Sequence, residues 1–490
     1  MKPLSGLDSL FLHLESPETP MHVGSLHLCD LPEEYRGDFC ADVKRLIARR
    51  MHLVPLFRRR LRTMPLAIAN PVWVDDRAVD LDYHVRHVNL PRPGTRTGME
   101  SCVAHLHSMP LDRSRPLWEA HIIHGLRTGQ VGFYMKVHHA VLDGAAGMAL
   151  ADVLFDRTRV PRAVPPPPRG KRVQPDSTGF GKLAGAALRH DVAQYAKFVR
   201  ALPDLVTAIA GLARRSPGPA EASPRGSIMF GPRTSLNVSI TGERSFAAVS
   251  ISLDEAKSVA QAFDAKLNDV VLAICSGALR TYLSDHGGIP KAPLVAGMPF
   301  SLRRTGDTDY STQATMTLVS LATDIADPVA RLLAIRDAAG AIKSAARRVQ
   351  SMIPTDTPSL GAPWLLGGLA ALYGRSKVAD ALPPVMNVVI SNVPGPRVPL
   401  YAAGARLQSY WPLSIVEHGM GLNITVISYC DALDFGLVAA RRAVPNVRTI
   451  ARALEVAHAE LLQRTPGHGK RSAGKPVAIS RTRGDSPPRH

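Results

Sequence analysis

The chain has 490 residues, of which 45% are hydrophobic and 20% charged, the balance of a globular protein with core for two or three domains. No apolar run approaches the ~18–20 residues that span a bilayer, and the first twenty residues carry Asp8, Glu15 and three prolines, unlike a signal peptide. The five cysteines stand singly with no CxxC, and the formal charge is +18; these features argue for a reducing compartment and against a disulfide framework or structural zinc.

In chain order, Leu7, Leu10, Phe11 and Leu14 have helical spacing, and Met21 to Leu28 alternates as a strand. Phe39 to Arg50 reads as an amphipathic helix, and Ser101 to Met109 as another, leading into PLDRSRPLWE at 110–119. There Trp118 is core-like, and Asp112, Arg113, Arg115 and Glu119 are expected to pair among themselves. His121 to Leu126 and Val131 to Val137 predict a hairpin turning at Thr128-Gly129. Residues 1–158 form a first unit of mixed helices and strands. Residues 159–243 read as a proline-rich linker with four consecutive prolines at 165–168. Within it, Gly181 to Arg215 has the spacing of a basic amphipathic helix, packed between domains or laid on a membrane.

A second unit, 244–466, opens with a strand at Phe246 to Ile251, a helix at Asp254 to Phe263 and a helix from Asn268-Asp269 to Leu283. Strands follow at Pro293 to Met298, Thr315 to Asp324 and Asn387 to Val393, with a long helix at Pro328 to Val349. A hairpin at Leu422 to Tyr429 and Asp434 to Val438 and a helix at Thr449 to Arg464 complete it. Gly361 to Val378 is an apolar stretch suited to a lipid contact or to packing. Residues 467–490 are polar and basic, read as a disordered tail that is solvated or drawn to anionic surfaces. The basic stretches lack interleaved aromatics, so no specific nucleic-acid partner is expected.

The segment with most chemistry is Lys136-Val137-His138-His139-Ala140-Val141-Leu142-Asp143-Gly144. It lies where a strand hands over to a helix, Ala145 to Phe155, for which Asp143 is a plausible N-cap. Strand period two sends adjacent side chains to opposite faces, so His138 and His139 are assigned different tasks. One faces a cavity and the other packs. His105, His107, His121 and His124 lack cysteine or acidic partners at metal-site spacing, so no metal is expected.

The segments LSGLDSLFL with PMHVG, PLDRSRPLWE, HHAVLDG, NDVVLAICSGALR, PFSLR, SNVPGP and GLNITVISYCDALDFGLV run in order over nearly the whole chain. In these the sequence resembles the bacterial wax ester synthase/diacylglycerol acyltransferase family, close to its triacylglycerol synthase members. The resemblance implies an α/β fold of two chloramphenicol-acetyltransferase-like domains joined by a linker, with a channel between them. It implies transfer of a long-chain acyl group from acyl-CoA, a co-substrate and not a bound cofactor, to diacylglycerol or a long-chain alcohol. His139 would be the general base and His138 its support, with no acyl-enzyme. Asp143 would pair with Arg303 of PFSLR to fix the loop, and Gly144 would allow close backbone approach. Asn268 would orient the base or donate to the oxyanion, or else serve as the N-cap of its helix, with Asp269 supporting it. The expected location is cytoplasmic, peripheral on the inner membrane face or lipid droplets. The alternatives are a CoA-dependent acyltransferase with another hydroxyl acceptor and a catalytically weak lipid-binding paralogue. The chain departs from the family pattern at Ser311-Thr312-Gln313, Ala440-Arg441 and Asn446.

Overall fold

The computed structural model describes residues 2–4, 6–62, 71–76, 78–141, 144–166, 230–301, 314–349, 380 and 383–466. Its strands are β1 (Lys2–Pro3), β2 (His22–Asp30), β3 (Arg59–Arg62), β4 (Val72–Asp75), β5 (Val85–Asn89), β6 (Trp118–His124), β7 (Val131–His138), β8 (Arg244–Ser252), β9 (Val295–Ser301) and β10 (Ala314–Ser320). They continue with β11 (Val388–Val393), β12 (Tyr401–Ala402), β13 (Ala405–Leu407), β14 (Trp411–Leu413), β15 (Leu422–Tyr429) and β16 (Ala432–Ala440). Three sheets result: β1-β4-β3, β12-β13-β2-β7-β6-β5 with β14 also on β2, and β10-β9-β11-β15-β16-β8.

The hairpin β6–β7 forms where the sequence predicts it, with Gly129 at φ 76° between its strands. β5 runs parallel to β6, which requires a long crossover, and the Arg96–Ser108 helix supplies it. That helix begins earlier than its apolar spacing indicates because Thr95 accepts the Gly98 amide as an N-cap. β7 is central, between β2 and β6, and its side chains enter two buried clusters, Tyr134 in one and Phe133 and Val137 in another, which explains why VGFYMKV shows no polar alternation. In the second large sheet, the helices Leu253–Ala262, Leu267–Asp285, Pro328–Val349 and Val447–Gln463 follow the predicted order. The Leu267–Asp285 helix is buried from Asp269 through Leu279, as expected for a helix apolar nearly all round.

Two features were not predicted. Between Arg50 and Ser101 the structure places β3, β4, a short Leu81–His84 helix and β5. Stretches such as RRLR carry no apolar alternation, so nothing in the pattern marks them. The strands β12, β13 and β14 are two or three residues long, too short to be read by periodicity. Although they lie within residues 244–466, β13 and β14 pair with β2 of the first large sheet.

β14 therefore sits between the two large sheets. Trp411, Pro412 and Leu413 pair with Leu26, Ser25 and Gly24, while the Pro412 carbonyl presses on Gly436 of β16. A Cβ at Gly436 would stand 1.7 Å from that oxygen. Replacing Gly436 by alanine is accordingly expected to push the sheets apart. We expect a loss of at least ~2 kcal/mol in chemical denaturation, and an unchanged stability would show that β14 moves aside freely. The Arg96–Ser108 helix joins the same seam: Met99 and Val103 belong to one buried cluster with β8 and the Val447–Gln463 helix. Arg96 donates to the Ala248 carbonyl at 2.8 Å and its guanidinium lies 4.4 Å over the Trp411 ring.

Candidate active site

β7 ends at His138, and a 3-10 turn, His139–Val141, carries the chain toward the Gly144–Leu154 helix. His138 is fully buried, whereas His139 is partly exposed, the inequality expected from strand period two. The His138 amide donates to Leu117 O at 3.0 Å, and the His139 amide donates to Met21 O at 2.8 Å. The His139 imidazole stacks on Phe11 of the Gly6–Leu14 helix, with centroids 4.1 Å apart and planes at 23°. Gly144 begins the helix after the motif. Asp143 and Arg303 lie outside the described residues, and so do the expected N-cap and loop-fixing pair that involve them.

The hydrogen bonds assign the His138 tautomer. Nδ1 accepts the Ala140 amide at 3.0 Å, so in the neutral ring the proton sits on Nε2. Nε2 faces Glu15 Oε1 at 3.3 Å. Arg113 holds the other carboxylate oxygen, donating to Oε2 from Nε at 2.9 Å and from Nη2 at 2.7 Å. Burial alone would raise the Glu15 pKa, but His138 and Arg113 overcome it and bring it down to about 2.

This arrangement corrects the expected pairing within 110–119. Asp112 does pair with Arg115, at 3.4 Å. Arg113 instead reaches the first helix, and Glu119 faces Lys136 Nζ at 3.4 Å and His121 Nε2 at 3.2 Å. Short-range sequence pairing failed here because the β6–β7 register brings Glu119 opposite Lys136. Lys136 is wholly buried and also donates to Leu106 O at 3.0 Å and Met109 O at 2.8 Å. Burial raises the Glu119 pKa, and the hydrogen bond from His121 together with the Lys136 and Arg86 charges more than reverses this, to about 2.

Both carboxylates therefore have folded pKa values below the ordinary 4.5. Their stabilisation is present above that pH and is lost as pH falls from about 4.5 toward about 2. For Glu119 the shift corresponds to about 3 kcal/mol. Glu119→Gln is expected to lower stability at neutral pH and to flatten the loss over this acid window. Urea unfolding at pH 7 and pH 3 checks it; a wild-type acid slope in the variant would refute this assignment.

Asn268 is the second residue of the Leu267–Asp285 helix and is not its N-cap, which is Lys266. Asp269 supports the helix start instead, accepting the Lys266 amide on Oδ2 at 2.9 Å. Asn268 Oδ1 accepts from Asn392 Nδ2 at 3.3 Å, and its amide nitrogen lies 3.9 Å from Met298 Sδ. The segments NDVV, SNVPGP and the β9 strand leading into PFSLR thus meet at Asn268. Its described partners are these two residues, both in the second large sheet. The departure at Asn446 has a simple physical reading, since its side chain caps the Val447–Gln463 helix by accepting the Arg448 amide at 3.2 Å. Asparagine and aspartate do this about equally well. Ala440 is buried at the end of β16, and Ser311 to Gln313 lie outside the described residues.

Sequence reading missed Glu15, Phe11 and Met21 as members of the site. Nothing local distinguishes them; only the packing of the first helix against the turn does. Among the described residues no group of three or more His, Cys, Asp or Glu is placed to hold a metal ion. Among them, too, no helix is long and apolar enough to cross a membrane. The predicted linker helix at 181–215 and the apolar stretch 361–378 fall outside the described residues, as does the tail 467–490.

Comparison with known proteins agrees with this geometry. Residues 4–271 match the family model of the wax ester synthase/diacylglycerol acyltransferase catalytic domain, and residues 311–461 match that of its C-terminal domain. A protein named as a diacylglycerol O-acyltransferase in Mycobacterium tuberculosis is 39% identical over 94% of this chain and 99% of its own length. The O-acyltransferase WSD of Acinetobacter baylyi is 35% identical over 93% and 96%. The solved wax ester synthase/diacylglycerol acyltransferase from Marinobacter aquaeolei VT8 superposes with a TM-score of 0.68 at 33% identity, covering 95% of this chain and 100% of that one. The first condensation domain of the CDA synthetase, 14% identical with a TM-score of 0.53, shares the fold. A mixed α/β fold of the acyltransferase type, carrying an HHxxxDG motif at a strand-to-turn junction, is thus matched along almost its whole length, and the chain belongs to the wax ester synthase/diacylglycerol acyltransferase family of O-acyltransferases.

Proposed function

We propose that this protein transfers a long-chain acyl group from acyl-CoA to the hydroxyl of diacylglycerol, of a long-chain alcohol, or of both. The observation that carries the reading is the unequal setting of the two histidines. His138 is buried and committed to Glu15 and the Ala140 amide, while the partly exposed His139 ring is held in a fixed plane by Phe11. A neutral imidazole suits proton removal from an alcohol at physiological pH. In this reading His139 deprotonates the acceptor hydroxyl, whose oxygen attacks the thioester carbonyl. The tetrahedral adduct so formed collapses, re-forming the carbonyl as the C–S bond breaks and the CoA thiolate leaves, and the imidazolium gives its proton to that sulfur. No acyl-enzyme forms, in keeping with the lack of a GxSxG elbow in the sequence.

Asn268 then acts from the second sheet as an orienting or oxyanion-donating amide, and Asp143 with Arg303 fixes the loop after the histidines. No resident cofactor takes part. The acceptors partition into lipid, so the protein works at a membrane or lipid-droplet surface from the cytoplasmic side. The test is product formation by the purified chain from labelled palmitoyl-CoA with diacylglycerol or hexadecanol. Labelled triacylglycerol or wax ester is the expected product. Turnover with neither acceptor, but with a different hydroxyl compound, would replace the acceptor and keep the chemistry. Release of CoA with no ester product from any alcohol would overturn the proposal.

A further inference from the structure

We propose that Glu15 is a positioning residue for His139, holding the turn that carries it by two routes. This inference rests on the reading of His139 as the base. The first route is through the backbone. Glu15 Oε1 accepts the Met21 amide at 3.1 Å, and Met21 O accepts the His139 amide at 2.8 Å. The second route is through the neighbouring imidazole. Glu15 Oε1 faces His138 Nε2 at 3.3 Å, which keeps the proton there and leaves Nδ1 to accept the Ala140 amide. Both peptide groups that flank His139 are thereby tied to one carboxylate.

Arg113 extends the clamp to the stacking partner. It donates to Glu15 Oε2 and, from the same Nη2, to Leu12 O at 2.6 Å. Leu12 follows Phe11, the ring against which His139 lies. One ion pair thus fixes the helix end, the stacking ring and the histidine turn relative to each other. A ring so held loses little freedom when substrate arrives, and positioning of this kind is worth far more than its hydrogen bonds alone. The second imidazole of the HH pair is in this account the relay between Glu15 and the turn.

The charges around the carboxylate are defined. Arg113 from the 110–119 segment and His138 from β7 face it, His22 on β2 stands opposite His138 in the register, and Lys136 on β7 acts on it at longer range. His138 accepts at Nδ1 and burial holds His22 neutral, so removing the Glu15 charge leaves the cations Arg113 and Lys136 without that counter-charge beside the turn that carries His139. Formation of the His139 imidazolium then becomes harder, and its protonation moves to lower pH.

The experiment compares wild type, Glu15→Gln, Glu15→Asp and His139→Ala in acyl transfer across pH. Glu15→Gln is expected to lower kcat by about 10- to 100-fold, to leave KM for palmitoyl-CoA within about twofold, and to shift the acid limb of the pH profile downward by roughly half a unit or more. A smaller fraction of folded enzyme lowers kcat but does not move that limb. Should Glu15→Gln not fold, Glu15→Asp, which draws the carboxylate back by one methylene from His138, is expected to lower kcat about 10-fold. Wild-type kcat in whichever variant folds, or a loss of kcat with an unmoved acid limb in Glu15→Gln, overturns the proposal. Full activity in His139→Ala instead overturns the reading on which it rests.

Discussion

Replacing His139 by alanine is expected to lower kcat for ester formation by about 10²–10⁴-fold, the range that general-base catalysis contributes. KM for acyl-CoA should change little, because in the proposed reaction the base acts on the acceptor hydroxyl in the transition state and not on the bound thioester. Stability should fall only modestly, since the ring is partly exposed and stacks on Phe11 at the edge of the turn. A residual rate above background is expected too, because binding and oxyanion stabilisation survive. His138→Ala makes the informative contrast. It removes a fully buried ring that faces Glu15 and accepts the Ala140 amide, so its loss of activity should come with a clear loss of stability. Steady-state kinetics and circular dichroism melting on both variants separate the two roles. Undiminished turnover in His139→Ala would sink the assignment of the base.

The largest effect on stability is expected from Asp156→Ala. Asp156 follows the helix that begins at Gly144, and its carboxylate forms a two-pronged pair with Arg50 Nη2, at 2.7 and 2.8 Å. Both side chains are essentially inaccessible, at 1% and 2%. Arg50 completes its bonding at Leu154 O, 2.8 Å away, and Asp156 exchanges backbone hydrogen bonds with Tyr401 at 2.8 Å each way. The pair therefore joins the Phe39–Arg50 helix, the end of the helix after the histidines, and the β12 strand from the second half. Removing one partner strands a buried guanidinium, which typically costs 3–5 kcal/mol. Chemical denaturation should show a loss in that range. The double variant Arg50→Met, Asp156→Leu should recover most of it, because the cost lies in the uncompensated charge and not in the missing pair. A single variant within about 1 kcal/mol of wild type would mean that water reaches Arg50.

Much of the fold and part of the candidate site were legible in the residues alone. The apolar run VGFYMKV, the turn at Gly129 and the helix after Gly144 are local patterns whose period matches their element, so each was readable before any contact was known. The unequal setting of His138 and His139 was expected from strand geometry, and the structure buries one and leaves the other partly open. The long Pro328–Val349 helix was likewise legible to the residue. The family membership rests on motifs spaced along the chain, which a sequence carries directly.

Long-range pairing is what the residues could not declare. Arg113 has acidic neighbours in its own segment, yet it binds Glu15, about a hundred residues earlier. Asn268 sits where a cap would be expected, yet Asp269 and the Lys266 backbone do that work, and Asn268 turns to Asn392. β13 and β14 join the first large sheet from the far side of the sequence. The physical reason is the same in each case. Periodicity and capping are governed by contacts within a few residues, and the sequence determines those by itself. Which buried charge finds which partner depends on how sheets and helices close over it, because an unpaired buried charge is costly wherever its partner lies in the chain. The sequence by itself determined the longer elements, the histidine motif and the family. Only the tertiary structure decided that the strand-to-turn junction at His138-His139 is held from outside, by a glutamate and an arginine that no local pattern connects to it.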